Sequence, residues 1–276
     1  MERTIDEIVR GSRSNLALTL ACLPRARRGD MRIFYAFCRV VDDIADEPGR
    51  NSDQKRSELD RWRKIVTGAA PAVSLVEREV AALQERQGIP SADLLGIIDG
   101  VAQDVEPARF VTWEDLRSYC HGVACCVGFV SIRIFGCTRP ESRGYAEHLG
   151  YALQLTNILR DVGQDFANGG RIYLPVEDCE RHGVTADHFH QRRLDGAFLN
   201  LMQFEAARAR DHFDKAAGFL TKEDARKLRA AEAMRGIYRT LLGKMEQDGF
   251  RVFDRRYRLS SPHKLWLMLR ALRGWL

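Results

Sequence analysis

The stretch LQLTNILRDVGQD, residues 153–165, decides how this chain reads. Leu155, Ile158, Leu159, Val162 and, just beyond, Phe166 recur at helical spacing and make one apolar stripe. A second, narrow stripe lies beside it. Gln154, Asn157, Asp161 and Asp165 sit at i, i+3, i+7 and i+11, which stacks them along one side of the same helix. A solvated face would carry Lys and Glu. This one carries only amides and aspartates, next to residues that belong in a core, so it is predicted to line an internal cavity. Carboxylates held against an apolar surface are costly unless a cation compensates them.

The same design recurs upstream in FYAFCRVVDDIAD, residues 34–46. Tyr35, Arg39, Asp42 and Asp46 share one stripe, and Ile33, Phe34, Phe37, Val40, Val41 and Ile44 surround it. Asp43 points about 100° away from Asp42 and is read as support for the pair. Arg39 reads either as a salt-bridge partner of Asp42 or as a hold on a diphosphate oxygen. One D-x-x-x-D helix is usually a solvated face. Two of them, both apolar and both with polar companions, point to carboxylates facing each other across a pocket. Mg²⁺ is typically held by one or two carboxylates together with substrate phosphates. The residues therefore predict an enzyme that grips a diphosphate through two or three Mg²⁺ ions. An allylic diphosphate suits such a site, because its ionisation needs charge neutralisation at one end and a dry apolar cavity at the other.

The bulk composition of the 276 residues is that of an ordinary globular protein. The net charge of +5 is mild and spread along the chain, which gives nucleic-acid binding no support. An anionic substrate or an anionic membrane surface fits equally well. The seven cysteines show no C-x-x-C spacing, and most fall in apolar runs, so no disulfide or zinc site is expected and a reducing cytoplasm is. The histidines form no ligand motif, and His188 and His190 are read as surface residues. Charges interrupt the N-terminal run, so no signal peptide is expected, and no apolar run reaches the length needed to span a bilayer.

Helical periodicity continues throughout, and β-alternation is absent. Helices are expected at about 2–22, 29–48, 52–68, 73–87, 90–104, 112–136, 139–167, 194–218, 222–247 and 261–273. Thr112 with Asp115 reads as a capping box, Ser91 as an N-cap, and Gly169-Gly170 as the stop after the second aspartate pair. The long non-helical stretch is 168–193. One all-α domain over 1–276, a helical bundle around a central cavity, is the simplest reading. In YCHGVACCVGFVSIRIFG, residues 119–136, the small residues Gly122, Ala124, Cys125, Cys126 and Gly128 either leave room for a prenyl chain or permit close helix packing.

These segments resemble the squalene/phytoene synthases. YAFCRVVDDIAD and LQLTNILRDVGQDFANGGRIYLP are similar to the two signature segments of that family, and the resemblance runs from about residue 12 to 253. It implies the all-α isoprenoid-synthase fold and head-to-head prenyl transfer. It implies Asp42 and Asp46 as the first metal pair and Asp161 and Asp165 as the second. Tyr119, Arg39, Arg171 and Tyr173 match positions at the diphosphate, and Tyr238 in MRGIYRTLL matches a tyrosine near the same cavity. Gln154, Asn157, Arg160, Tyr35, Gly122, Val123, Gly128 and Arg251 in FRVFDRR are carried over as substrate-binding. Ser12 or Ser14 in SRSNLALTLACLP stands where the family has a substrate-gripping serine, but the aromatic residues that usually follow it are Leu and Ala here.

VGFVSIRIFG looks most like bacterial presqualene diphosphate synthases. Two farnesyl diphosphates would then join with loss of diphosphate, and NADPH would be needed only if the reaction continued to squalene. Phytoene synthase acting on geranylgeranyl diphosphate, and dehydrosqualene synthase, are the alternatives. Tyr119, Tyr238 and released diphosphate are candidate proton acceptors. The tail KLWLMLRALRGWL, residues 264–276, reads as a peripheral amphipathic helix on a membrane surface or as a last packed helix.

Overall fold

A computed structural model describes residues 4–11, 20, 22–47, 49–106 and 109–274. Ser12 and Ser14 lie outside the described residues, as do Trp275 and Leu276. The chain is all-α. Its helices are α1 Ile5–Gly11, α2 Arg25–Asp46, α3 Ser52–Val66, α4 Leu75–Gln87, α5 Ser91–Ala102 and α6 Trp113–Cys120. A π-helical turn at His121–Cys125 leads directly into α7 Cys126–Phe135. There follow α8 Glu141–Ala167, α9 Val176–Arg181, α10 Ala186–His190, α11 Gly196–Gly218, α12 Arg229–Gln247 and α13 Ser261–Arg273. One contiguous core runs from Ile8 to Leu267.

Local chemistry explains most boundaries. Asn51 with Gln54, Ser74 with Glu77, and Thr112 with Asp115 form capping boxes at the starts of α3, α4 and α6. α2 ends at Asp46, where Glu47 turns extended (φ −62°, ψ 113°), as a residue before a proline must. Gly169 and Gly170 take positive φ after α8.

The helix expected at 112–136 is present at Trp113–Phe135, with the π turn at His121–Cys125 inside it. Several expectations are corrected. Ser91 is not a cap, because its hydroxyl donates to the Val66 carbonyl and Pro90 stands at the N-cap. The stretch 168–193 contains α9 and α10. His188 is buried: it accepts from the Thr185 amide (3.0 Å) and its Nε2 lies 3.3 Å from Asp195. Trp113–Phe135 is long and apolar enough to cross a bilayer, contrary to the sequence reading, but it packs against α5 and α8 as a core helix.

The 27-residue α8, about 40 Å long, is the central post. It touches α6, the π turn, α7, α11 and α12. A buried ion cluster ties the segment that follows α8 to α11. Arg208 of α11 donates to Glu205 (2.6 Å) and to Asp178 of α9 (3.1 Å), and its guanidinium lies 4.2 Å from the Trp113 ring centroid. Burial pushes the Glu205 carboxyl up to about 7, Arg208 opposes this, and Asp178 adds to it. Its Oε1 has no partner.

Folding therefore holds a proton on Glu205 that the unfolded chain releases near pH 4.5. The group's contribution to stability is complete below that pH and declines as pH rises toward about 7. Glu205→Gln should remove this decline. The urea-derived stability of the wild type is expected to fall relative to the variant across that window, by up to about 3 kcal/mol. Parallel pH profiles would show that Glu205 is ionised throughout.

Candidate active site

The amphipathic split of α2 presses Phe34, Phe37, Val41, Ile44 and Ala45 into the core and leaves Asp42 and Asp46 open to solvent. On α8, Leu155, Ile158, Leu159 and Val162 are buried, while Asp161 and Asp165 are half-buried on the adjoining face. Arg171 links the two helices. Its amide donates to the Asp165 carbonyl (3.2 Å), its Nη1 lies 3.9 Å from Asp46, and its Nη2 donates to the Asp104 carbonyl (3.3 Å).

Asp104 is a candidate site residue that the sequence reading did not single out. It sits in the turn after α5, at the last position of the helix expected over 90–104. Tyr119 and Tyr173 each donate their hydroxyl to one of its carboxylate oxygens, at 2.9 and 2.8 Å. The two phenol rings lie 5.5 Å apart, and Phe110 packs within 6 Å of both. Two of the expected tyrosines and Arg171 are thus gathered around one unforeseen carboxylate.

The electrostatics are those of a site short of positive charge. Crowding by surrounding protein pushes the Asp42 carboxyl upward even though its side chain is exposed; Arg39 opposes, while Asp46, Asp104 and Asp43 add repulsion. Water still reaches Asp42 and screens part of that repulsion. Burial and then the neighbouring Asp161 push Asp165 up to about 6, against Arg171, Arg160 and Arg256. Burial also raises Asp104, opposed by its two tyrosine hydrogen bonds.

The donor set fits Mg²⁺. Hard oxygen ligands stand on both walls, and Asn157 Oδ1, one turn before Asp161, is buried without a partner. Among the described residues no three side chains converge into a protein-only cage.

The other expected residues divide. Arg39 pairs with Asp43 (2.6 Å), not with Asp42. Arg160 donates to Asp161 through Nε (2.9 Å) and Nη2, and Asn157 donates to Gln154 (3.4 Å). Tyr35 is buried on α2. Arg251 is turned away onto Asp254 (2.9 Å); Arg256, five residues on, reaches Asp161 at 3.1 Å. That approach depends on Gly163, where a Cβ would stand 2.4 Å from the Val252 carbonyl oxygen.

An apolar cavity of about 250 Å³ lies between α2, the π turn with α7, α8 and α12. Met31, Ala124, Gly128, Leu149, Ala230 and Tyr238 are among its walls. Gly122 and Val123 do not line it. A Cβ on Gly122 would lie 2.7 Å from the Gly96 carbonyl, and one on Gly100 would lie 2.8 Å from the Val123 amide nitrogen. Their smallness serves helix contact. Gly128 does both, lining the cavity and abutting Ala146. Tyr238 joins the two parts of the site, because it lines the cavity while its hydroxyl stands beside the Arg160 guanidinium.

Comparison with known proteins gives a consistent result. A family model described as squalene/phytoene synthase matches residues 9–263. A phytoene synthase of Mycobacterium bovis is 33% identical over 273 residues, covering 98% of this chain and 90% of the relative. A presqualene diphosphate synthase of Rhodopseudomonas palustris is 34% identical over 260 residues, covering 93% and 92%. A crystal structure of a dehydrosqualene synthase with a bound ligand superposes with a TM-score of 0.83 at 26% identity, covering 98% of this chain and 94% of that one.

Proposed function

The chain belongs to the squalene/phytoene synthase family of head-to-head prenyltransferases, and on that premise we propose that it joins two farnesyl diphosphates into presqualene diphosphate. The observation that carries this reading is the junction at Tyr238. There an apolar cavity of about 250 Å³ reaches Arg160, which is itself paired with Asp161. A prenyl diphosphate has the same two halves.

In this reading Asp42, Asp46, Asp161 and Asp165, with Asn157 beside them, hold Mg²⁺. The bound ions supply neutralisation of the charge that builds on the leaving diphosphate. Arg39, Arg160, Arg171 and Arg256 line the same rim and orient diphosphate oxygens. The apolar walls exclude water from the allylic cation that forms when the first diphosphate departs. The 2,3-double bond of the second farnesyl chain attacks that cation, and loss of a proton to the released diphosphate closes the cyclopropane. Tyr119 and Tyr173 keep their own protons, since burial and the Asp104 charge raise both phenols, Tyr119 well above 10. Both phenols therefore stay neutral, with their hydroxyls donated to Asp104. The reaction as proposed needs no NADPH, and a cytoplasmic location suits its seven free thiols.

The 33% identity to a phytoene synthase favours a second reading, the same coupling of two geranylgeranyl diphosphates. Incubation with fifteen- and twenty-carbon diphosphates, with and without NADPH, followed by mass spectrometry of the lipids, separates them. Presqualene diphosphate from the fifteen-carbon substrate alone is expected. Phytoene from the twenty-carbon substrate would select the second reading. No diphosphate release at any Mg²⁺ concentration would sink both.

A further inference from the structure

α13 has two unlike faces. Met268 and Ala271 are buried against Ala233 of α12, with Cys22 packed beside them, and Leu267 joins the main core. On the other side Leu265, Trp266 and Leu269 are 53%, 51% and 46% exposed. Among the described residues, no other helix exposes more than one large apolar side chain. α13 carries Lys264, Arg270 and Arg273 and no acidic residue. The Arg270 guanidinium lies 4.8 Å from the Trp266 ring centroid. Arg258 is close enough to Lys264, and Arg28 to Cys22, for their charges to act on those groups. The exposed Arg25 and Arg28 at the start of α2 therefore border the same edge of the molecule.

We propose that α13 docks on an anionic lipid bilayer. Its Leu265–Trp266–Leu269 stripe enters the interface, and Lys264, Arg270, Arg273, Arg25 and Arg28 meet the head groups. Thirteen residues make a helix about 20 Å long, too short to cross the roughly 30 Å hydrocarbon layer. The helix lies on the membrane instead, with Trp at the depth it favours and the cations extended toward phosphate. A second copy of this chain fits worse. A two-fold contact through α13 would set lysine and arginine against lysine and arginine, with only the three exposed apolar side chains to offset the repulsion.

The location has a use, and this clause rests on the proposed function. Ala230, Ala231 and Met234 of α12 line the apolar cavity around Ala233, the residue that α13 covers. Lipid-borne tails are thus delivered close to where they are bound.

The test uses the full chain and the triple variant Leu265→Ser, Trp266→Ser, Leu269→Ser, sedimented without substrate with two kinds of vesicle. One kind is an equimolar mixture of phosphatidylglycerol and phosphatidylcholine; the other is phosphatidylcholine alone. The wild type should partition onto the anionic vesicles at least about tenfold more strongly than the variant does, and added salt should weaken it. Turnover on detergent-dispersed farnesyl diphosphate should be the same for both. Equal partition of variant and wild type would overturn the proposal, as would a wild type that ignores anionic vesicles. So would a wild-type dimer in sedimentation velocity that the variant converts to monomer. If neither protein releases diphosphate, the functional reading fails while the vesicle result stands on its own.

Discussion

Replacing Asp161 by Asn is expected to slow diphosphate release by at least about a hundredfold while leaving helical content unchanged. The carboxylate is the meeting point of two arginines. Arg160 approaches its Oδ1 at 2.9 Å and Arg256 approaches the same oxygen at 3.1 Å. Asparagine keeps the volume and one acceptor oxygen but loses the charge. The substitution thereby removes both a proposed metal ligand and the anchor that draws the Arg256 segment onto α8. Stability should change little, because Asp161 faces the site and the buried side of α8 is carried by Leu155, Ile158, Leu159 and Val162. Steady-state rates across a Mg²⁺ titration, alongside circular dichroism, decide the matter. Near-normal turnover at moderate Mg²⁺ would remove Asp161 from the metal set.

The four aspartates were legible because a helix repeats. Asp42 with Asp46 and Asp161 with Asp165 announce a shared face by spacing alone, and their apolar neighbours show which face it is. Residues in turns send no such signal. Asp104 follows α5 in an irregular segment, and nothing local distinguishes it from the exposed Asp99 or Glu106 nearby. Arg256, which reaches Asp161 while Arg251 pairs with Asp254, gave no signal for the same reason. In FRVFDRR the side-chain directions are set by the close approach of Val252 to Gly163, a contact between segments about ninety residues apart. Small residues were ambiguous in a different way. Gly122 and Gly128 look alike in sequence, yet one serves helix contact and the other also opens the cavity wall, because only packing decides which side a missing Cβ faces.

Asp104→Asn is expected to lower kcat by about ten- to a hundredfold with a smaller effect on KM. Each oxygen of the carboxylate receives one phenol, Tyr119 on Oδ2 and Tyr173 on Oδ1. An amide offers only one acceptor oxygen, so one tyrosine must lose its partner and turn, a disturbance on the order of 1–3 kcal/mol for a buried polar group. Tyr119 is only 4% exposed, so its hydroxyl has little water to turn to. Its ring then leaves the orientation that the contacts with Phe110 and Tyr173 fix. Arg171 should be less affected, since it is bound to the Asp104 backbone carbonyl, which the substitution leaves in place. That difference predicts a defect in the chemical step more than in substrate binding. A merely structural role for Asp104 would predict otherwise, and a double-mutant cycle tells the two apart. If Asp104 acts by positioning Tyr119, then Tyr119→Phe should cost markedly less in the Asp104→Asn background than in the wild type. Equal costs in both backgrounds would mean that the two residues do not act as a unit, and the positioning role would fall.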